Sequence, residues 1–248
     1  MERIIECQGI HYQQLNAMLR QKVAQGEKCF TLRAVCGQRY LAAGLKDVKL
    51  AIEGTPGNNL AAMMDGAAVE VKGNAQDGLG DTMNDGKVVV WGNAGDLVGY
   101  GMRGGTILIK GRVGSRAGIH MKGIADRQPA IVVGGAAGDF LGEYMAGGRI
   151  VVLGQGQELK EGQRNPLVGN YLATGIHGGK IYVRGLVAPE QVAPQVNTSQ
   201  VTADEDEELK GLVAAWTASF GVELPSAQQF TLIQPQGVRP YAHLYTHQ

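Results

Sequence analysis

In this 248-residue chain the most conspicuous candidates for a binding motif are glycines. The stretch GNAGDLVGYGMRGG, residues 92 to 105, contains a literal GxGxxG at Gly99, Gly101 and Gly104. Between a strand and a helix, such glycines let a pyrophosphate approach the backbone at the helix N-terminus. Here TILIK, residues 106 to 110, is a β-rich run where that fold needs a helix, so nucleotide binding is not expected. Cys7, Cys29 and Cys36 are odd in number and include no CxxC, which points to reduced, buried thiols rather than a disulfide framework, zinc ribbon or cluster. His120, Lys122, His177 and Arg116 are the other groups of catalytic type. Both histidines lie beside glycine turns, which fits hydrogen-bonded corner residues better than general bases. No catalytic, cofactor-binding or metal-binding residue is assigned.

The glycines have a rhythm that explains them differently. Gly54, Gly73, Gly92 and Gly111 recur every 19 residues, and Gly135 and Gly154 repeat the interval. Ten positions on from the first five of these come Met64, Met83, Met102, Met121 and Met145; six on come Leu60, Leu79, Val98, Ala117 and Leu141. Each repeat closes on a β-rich run: VEVKG, VVVWG, ILIKG, IVVGG, IVVLG and IYVRG. One short strand per repeat cannot bury its own apolar side, so identical units must stack, with like residues forming ladders along the axis. Parallel crossovers are strongly right-handed. The expected fold is therefore all-β, a single-stranded right-handed parallel β-helix of about 19-residue coils, with short helical elements at both ends. In it the GxGxxG is a coincidence of turn glycines around Met102, and the methionines fill a narrow interior.

A fourth column, Asn58, Asp77, Asp96, Ser115 and Asp139, resembles a calcium roll in composition, but that roll repeats every nine residues. Asx side chains bonded to their own turn backbone are the expectation. Strand alternation puts Val88 and Val90, and their equivalents, inward. It leaves Val89, Leu108, Val132, Val151 and Tyr182 as an outward apolar row that something must cover.

Three regions follow. Residues 1 to 36 read as a cap, with a helical face of Tyr12, Leu15, Leu19 and Val23 stopped by Gly26. FTLRAV, residues 30 to 35, and VKLAI, residues 48 to 52, lead into the coils of residues 37 to 185. Residues 186 to 248 hold a strap expected on the surface, a helix bearing Leu209, Leu212, Val213, Trp216 and Phe220 on one face, and a tail whose FTLIQP reads as an edge strand. The 204 to 220 helix, or a partner, is expected over the outward row.

Insertions interrupt two coils, around KGIADRQ and at QGQELKEGQRNPLV, residues 155 to 168. The second mixes Glu158, Lys160, Glu161 and Arg164 with Leu159, Leu167 and Val168, a composition suited to an interface rim. Partner contact is expected at Leu159, Lys160, Arg164 and Leu167, on a loop contributing little to folding. Balanced charge, with 23 basic and 23 acidic residues, leaves no electrostatic footprint for nucleic acid. No long apolar run or signal-peptide layout is present, so no membrane partner and a cytoplasmic location are expected.

GNAQDGLGDTMNDGKVVVWGNAGDLVGYGMRGGTILIKGRVGSRAGIHMK, with GGAAGDFLGEYMAGGRIVVLG and GIHGGKIYVRG, closely resembles the GXGXG domain at the C-terminus of the glutamate synthase large subunit. GIHYQQLNAMLRQKVAQG, residues 9 to 26, is similar to the stand-alone version of that domain. The resemblance implies a right-handed β-helix that buttresses a glutamine amidotransferase and an FMN barrel carrying an iron-sulfur cluster, in an enzyme making glutamate from glutamine and 2-oxoglutarate. It implies no cofactor in this chain, with FMN and the cluster in partner polypeptides. Glu2 rather than Cys follows Met1, so the family's amidotransferase nucleophile is not expected here. The scaffold polypeptide of formylmethanofuran dehydrogenase shares the repeat and is the alternative; the wording of GNAQDGLG and AGDFLGEYMAGG is closer to glutamate synthase. A left-handed hexapeptide acyltransferase would need apolar residues at every sixth position, a rhythm that the glycine-rich half of each repeat breaks.

Overall fold

The computed structural model describes residues 2–124, 127–160, 162–224 and 228–237. Among them, β1 (Arg3–Glu6), β2 (Cys29–Cys36), β3 (Lys49–Thr55), β4 (Asp65–Val71), β5 (Asp85–Val90), β6 (Thr106–Ile109), β7 (Ala130–Val133), β8 (Ala146–Val152) and β9 (Gly178–Arg184) pair in sequence order, every pair parallel. Helix α1 (Tyr12–Ala24) lies between β1 and β2, and α2 (Glu207–Phe220) between β10 (Val196–Thr202) and β11 (Gln229–Pro235). The result is mostly β: an 11-stranded sheet with two helices among the described residues.

Register follows the repeat. One inner ladder runs Val69, Val88, Ile107, Ile131, Ile150 and Ile181, and a second runs Val71, Val90, Ile109, Val133, Val152 and Val183. All twelve side chains are buried. The connecting segments stack as well: the amides of Gly80, Gly99, Gly118, Gly142 and Ala173 each donate to a carbonyl one repeat earlier, at 2.7 to 2.8 Å. Their neighbours Leu60, Leu79, Val98, Ala117 and Leu141, and the column Met64, Met83, Met102, Met121 and Met145, are enclosed opposite the strands. A thioether adapts to an interior of changing width, which suits methionine to that position.

Close stacking also accounts for the 19-residue glycines. Gly54 and Gly154 adopt left-handed backbone, φ 126° and 56°. At Gly92, by contrast, a Cβ would sit 2.8 Å from the Gly73 carbonyl oxygen and closer still to Asn74 Oδ1. Gly73, Gly111 and Gly135 are likewise pressed against the backbone of the preceding glycine. The Asx expectation needs correction: these side chains bond the next coil, not their own turn. Asp77 Oδ1 accepts from the Asp96 amide at 2.9 Å, Asp96 Oδ1 from Ser115 at 2.7 Å, and Asp139 Oδ1 from Asn170 at 2.6 Å. Asn74 and Asn93 form a parallel ladder, accepting from the amides of Asn93 and Arg112. Stacked turns leave amides pointing along the axis, and a short side chain one coil back meets them.

The ends are closed differently. At the start, α1 buries Leu15 and Leu19, and Gly26 ends the turn at φ 91°. Asn16 Nδ2 donates to the Arg39 carbonyl at 2.8 Å and Gln38 Nε2 to the Cys7 carbonyl at 3.0 Å, tying cap to first coil. At the other end the strap departs from a surface course. Gln191, Ala193 and Val196 are buried, and Gln191 Nε2 donates to the carbonyls of Asn165 and Val168. FTLIQP is not an edge strand either: β11 lies between β9 and β10, antiparallel to both. Phe230, Leu232 and Ile233 are buried, so this strand needs neighbours on both faces and both sides. The polar β10, with Asn197, Thr198, Ser199 and Gln200 exposed, takes the edge. Residues 238 to 248 of the tail lie outside the described residues.

Candidate functional site

The outer face of the sheet is the most informative surface. Its central ladder runs Thr31, Ala51, Glu70, Val89, Leu108, Val132, Val151, Tyr182. Leu108, Val132, Val151 and Tyr182 are fully buried together with Leu209, Trp216 and Phe220 of α2. The Trp216 indole donates to the Ile109 carbonyl at 2.8 Å, and Gly134 supplies the space beneath its ring. Asp206 caps α2, its Oδ1 accepting from the amides of Glu208 and Leu209 at 3.0 Å, and Gly221 closes it with left-handed backbone, φ 62°.

Charge fixes the N-terminal end of α2. Glu208 is gripped by Arg149, whose Nε donates at 2.9 Å, and by Lys180 at 2.7 Å. These contacts, Arg149's first, hold the Glu208 carboxyl down at about 2. The Tyr182 hydroxyl donates to Asp206 Oδ2 at 2.8 Å; burial and that carboxylate push the phenol well above its usual range. Arg149 and Lys180 belong to a second outer ladder, Cys29, Lys49, Ala68, Lys87, Thr106, Ala130, Arg149, Lys180. Helix α2 reaches this ladder only as far as Lys87 of β5; over β2 to β4 the ladder is uncovered, and an open cavity of about 500 Å³ lies there.

The insertion at residues 155 to 168 is more firmly built than a loop contributing little to folding would be. Asn165 is buried: its Nδ2 donates to the carbonyls of Arg184 and Leu186 at 2.9 and 3.0 Å, and its amide donates to Gln191 Oε1 at 2.8 Å. Leu167 and Val168 are enclosed in the main core, and Leu159 packs against it. Leu167 therefore faces inward, and the insertion's exposed cations are Lys160 and Arg164, which line a cleft of about 190 Å³. Glu161 lies outside the described residues, as do Ala125 and Asp126 of the other insertion. Arg184, which no motif or spacing singles out, donates from Nη2 to the carbonyls of Gly154 and Gln157 at 2.7 and 2.6 Å and so pins the insertion's first turn. Its one signal in the sequence is weak, a lone arginine at the end of IYVRG.

The groups of catalytic type do not converge. His120 stacks on Tyr144, ring centroids 5.4 Å apart, with Tyr100 edge-on at 5.9 Å. Arg116 pairs with Glu143 at 3.3 Å and lies over the Phe140 ring. His177 Nδ1 sits 3.2 Å from the Gly175 carbonyl, and Lys122 is exposed. Cys7 is buried, and burial followed by the Glu6 charge pushes its thiol up to about 11; Cys29 is half-buried and Cys36 exposed. Among the described residues, no three His, Cys, Asp or Glu side chains gather as a metal site, and no helix is long and apolar enough to cross a membrane.

Stacked parallel strands, a helical cover supplied by the chain itself and an anchored insertion at residues 155 to 168 make up the described structure. The chain belongs to the GXGXG motif family, whose match spans residues 24–232. It is 37% identical to Uncharacterized protein MJ1350 of Methanocaldococcus jannaschii, over 99% of this chain and 97% of that relative.

Proposed function

We propose that this chain is a non-catalytic scaffold subunit of a glutamate synthase-type complex, bridging a glutamine amidotransferase and an FMN-barrel polypeptide. Family membership across residues 24–232 is the observation that carries this reading. The stacked coils are read as a right-handed β-helix, the hand that parallel crossovers strongly favour. FMN and an iron-sulfur cluster belong to the partner polypeptides, and this chain holds neither. The dispersal of His120, His177, Lys122 and Arg116 supports a role without chemistry of its own, because general acid–base work needs groups within hydrogen-bond reach of one another and of a substrate. Exposed Lys160 and Arg164 on an anchored insertion are the expected contact with one partner, flanked by Leu159; the buried Leu167 serves them only as a foundation.

Depleting the chain from its host and assaying extracts tests the reading. Glutamine- and 2-oxoglutarate-dependent glutamate formation should fall and return when the purified chain is added, while the purified chain alone shows no activity. Unchanged glutamate formation after depletion would remove the proposal. The double substitution Lys160→Glu/Arg164→Glu should leave the melt unchanged and impair that restoration.

A further inference from the structure

The cover over the outer face stops halfway, and the uncovered half has the chemistry of a second helix seat. From Glu208, held by Arg149 on β8, to Ser219, whose hydroxyl accepts from Lys87 Nζ of β5 at 3.0 Å, α2 advances eleven residues while crossing three strand spacings. At about 1.5 Å per residue and about 4.8 Å per strand, the two routes come to about 16 and about 14 Å, in agreement to within one residue's rise or so. The helix therefore runs across the strands, along the two outer ladders. Beyond its C-terminus the same ladders continue over β4, β3 and β2 as the open cavity of about 500 Å³. Ala51 and Ala68 form its low floor, Val89 is half-buried at the end nearest α2, and Lys49 and Lys87 stand along one edge.

Charge indicates what such a groove accepts. In the covered half this ladder's cations hold a helix carboxylate, Glu208, against Arg149 and Lys180. In the open half Lys49 and Lys87 have no carboxylate in ion-pair reach among the described residues. Two acids line the same groove, and both already have partners: Glu70 with Lys72 and the Trp91 indole, Glu2 with the Thr31 hydroxyl. The tail beyond residue 237, VRPYAHLYTHQ, contains no Asp or Glu, so its side chains offer these lysines no counter-ion.

We propose that the groove over β2 to β5 seats an acidic amphipathic helix of a partner polypeptide, in line with α2. Bulky apolar side chains of that helix fill the depression over Ala51 and Ala68, and its carboxylates meet Lys49 and Lys87. Those lysines are two strand spacings apart, about 10 Å, so the matching acids stand about seven residues apart on the helix. The inference rests on the scaffold reading for the partner's identity, not for the chemistry of the seat.

A peptide of this chain's own α2, DEDEELKGLVAAWTASFG, is the probe, titrated by fluorescence anisotropy against the full chain. Saturable binding should weaken about tenfold with Lys49→Glu/Ala68→Glu, with the peptide's acids replaced by their amides, and with added salt. Both substituted positions are exposed, so the melt should hold; if it does not, Lys49→Gln alone should still weaken binding. Absence of saturable binding, or binding indifferent to these changes as displacement of the resident α2 would be, overturns the proposal. Dimerisation of the chain abolished by the same double substitution would place a second copy in the groove and overturn the assignment to a partner. Charge-dependent peptide binding without any effect of depletion on glutamate formation keeps the seat and removes the scaffold reading. Restoration of glutamate formation with a peptide that does not bind does the reverse.

Discussion

The two halves of the outer face share a backbone and differ in what stands on it. Over β6 to β9 the central ladder is Leu108, Val132, Val151 and Tyr182, all buried under α2; over β2 to β4 it is Thr31, Ala51 and Glu70. Inside, the same strands carry nearly interchangeable aliphatic residues from end to end. The interior is constrained by stacking on both neighbours, so it repeats. The exterior is free to vary, and its variation marks where the chain covers itself and where it leaves an acceptor surface.

Removing the centre of the covered half should have the largest effect. Trp216→Ala empties a fully buried site and removes one of the two hydrogen bonds that the Ile109 carbonyl accepts, so it should cost about 3 to 5 kcal/mol in denaturant unfolding. In the open half, Lys49→Ala should stay within about 0.5 kcal/mol. Equal effects would erase the distinction between the halves. Next comes the stacking common to both: Gly92→Ala drives a methyl into the Gly73 carbonyl and should cost about 1 to 3 kcal/mol. A melt unchanged by this substitution would show that coil spacing is softer than the ladders imply.

Smaller changes sharpen the account of α2. Gly211 lies within the helix with open space around it, so Gly211→Ala should stabilise the protein by about 0.5 to 1 kcal/mol. A loss instead would mean that the exposed face of α2 is occupied. Glu208 titrates near 2 in the folded chain and near 4.3 when unfolded, so its contribution is complete above that higher value and fades as pH falls toward 2. The side chain is 44% exposed, which limits the contribution to under about 1 kcal/mol. Glu208→Gln should therefore flatten the melt's pH dependence between about 2 and 4.5 and leave its slope near neutrality unchanged.

Much of this was legible from spacing. Strand register, the methionine column, the outward row and the helix over it all follow from a 19-residue period and strand alternation, because identical units must stack in register. Four features were not. The direction of the Asx bonds depends on where an axial amide lies, which no single repeat reveals. The place of β11 depends on the burial of Phe230 and Leu232 against Tyr182 and α2, a tertiary demand that made an apparent edge strand internal. The insertion read as a partner-contact loop contributing little to folding because Asn165 and Gln191 are polar; paired, they form one of its firmest anchors. The groove over β2 to β5 was invisible for a related reason: its alanines and lysines look like ordinary surface until α2 shows what the ladder can hold.

The proposed scaffold role makes this chain part of a larger assembly in its host. Native mass spectrometry of the tagged chain purified from its host tests it most directly. A scaffold should be recovered in a complex whose mass is the sum of this chain, a glutamine amidotransferase and an FMN-barrel polypeptide, with flavin and iron released only from the partners. A chain recovered alone, or in a stoichiometric complex lacking both of those polypeptides, would contradict it.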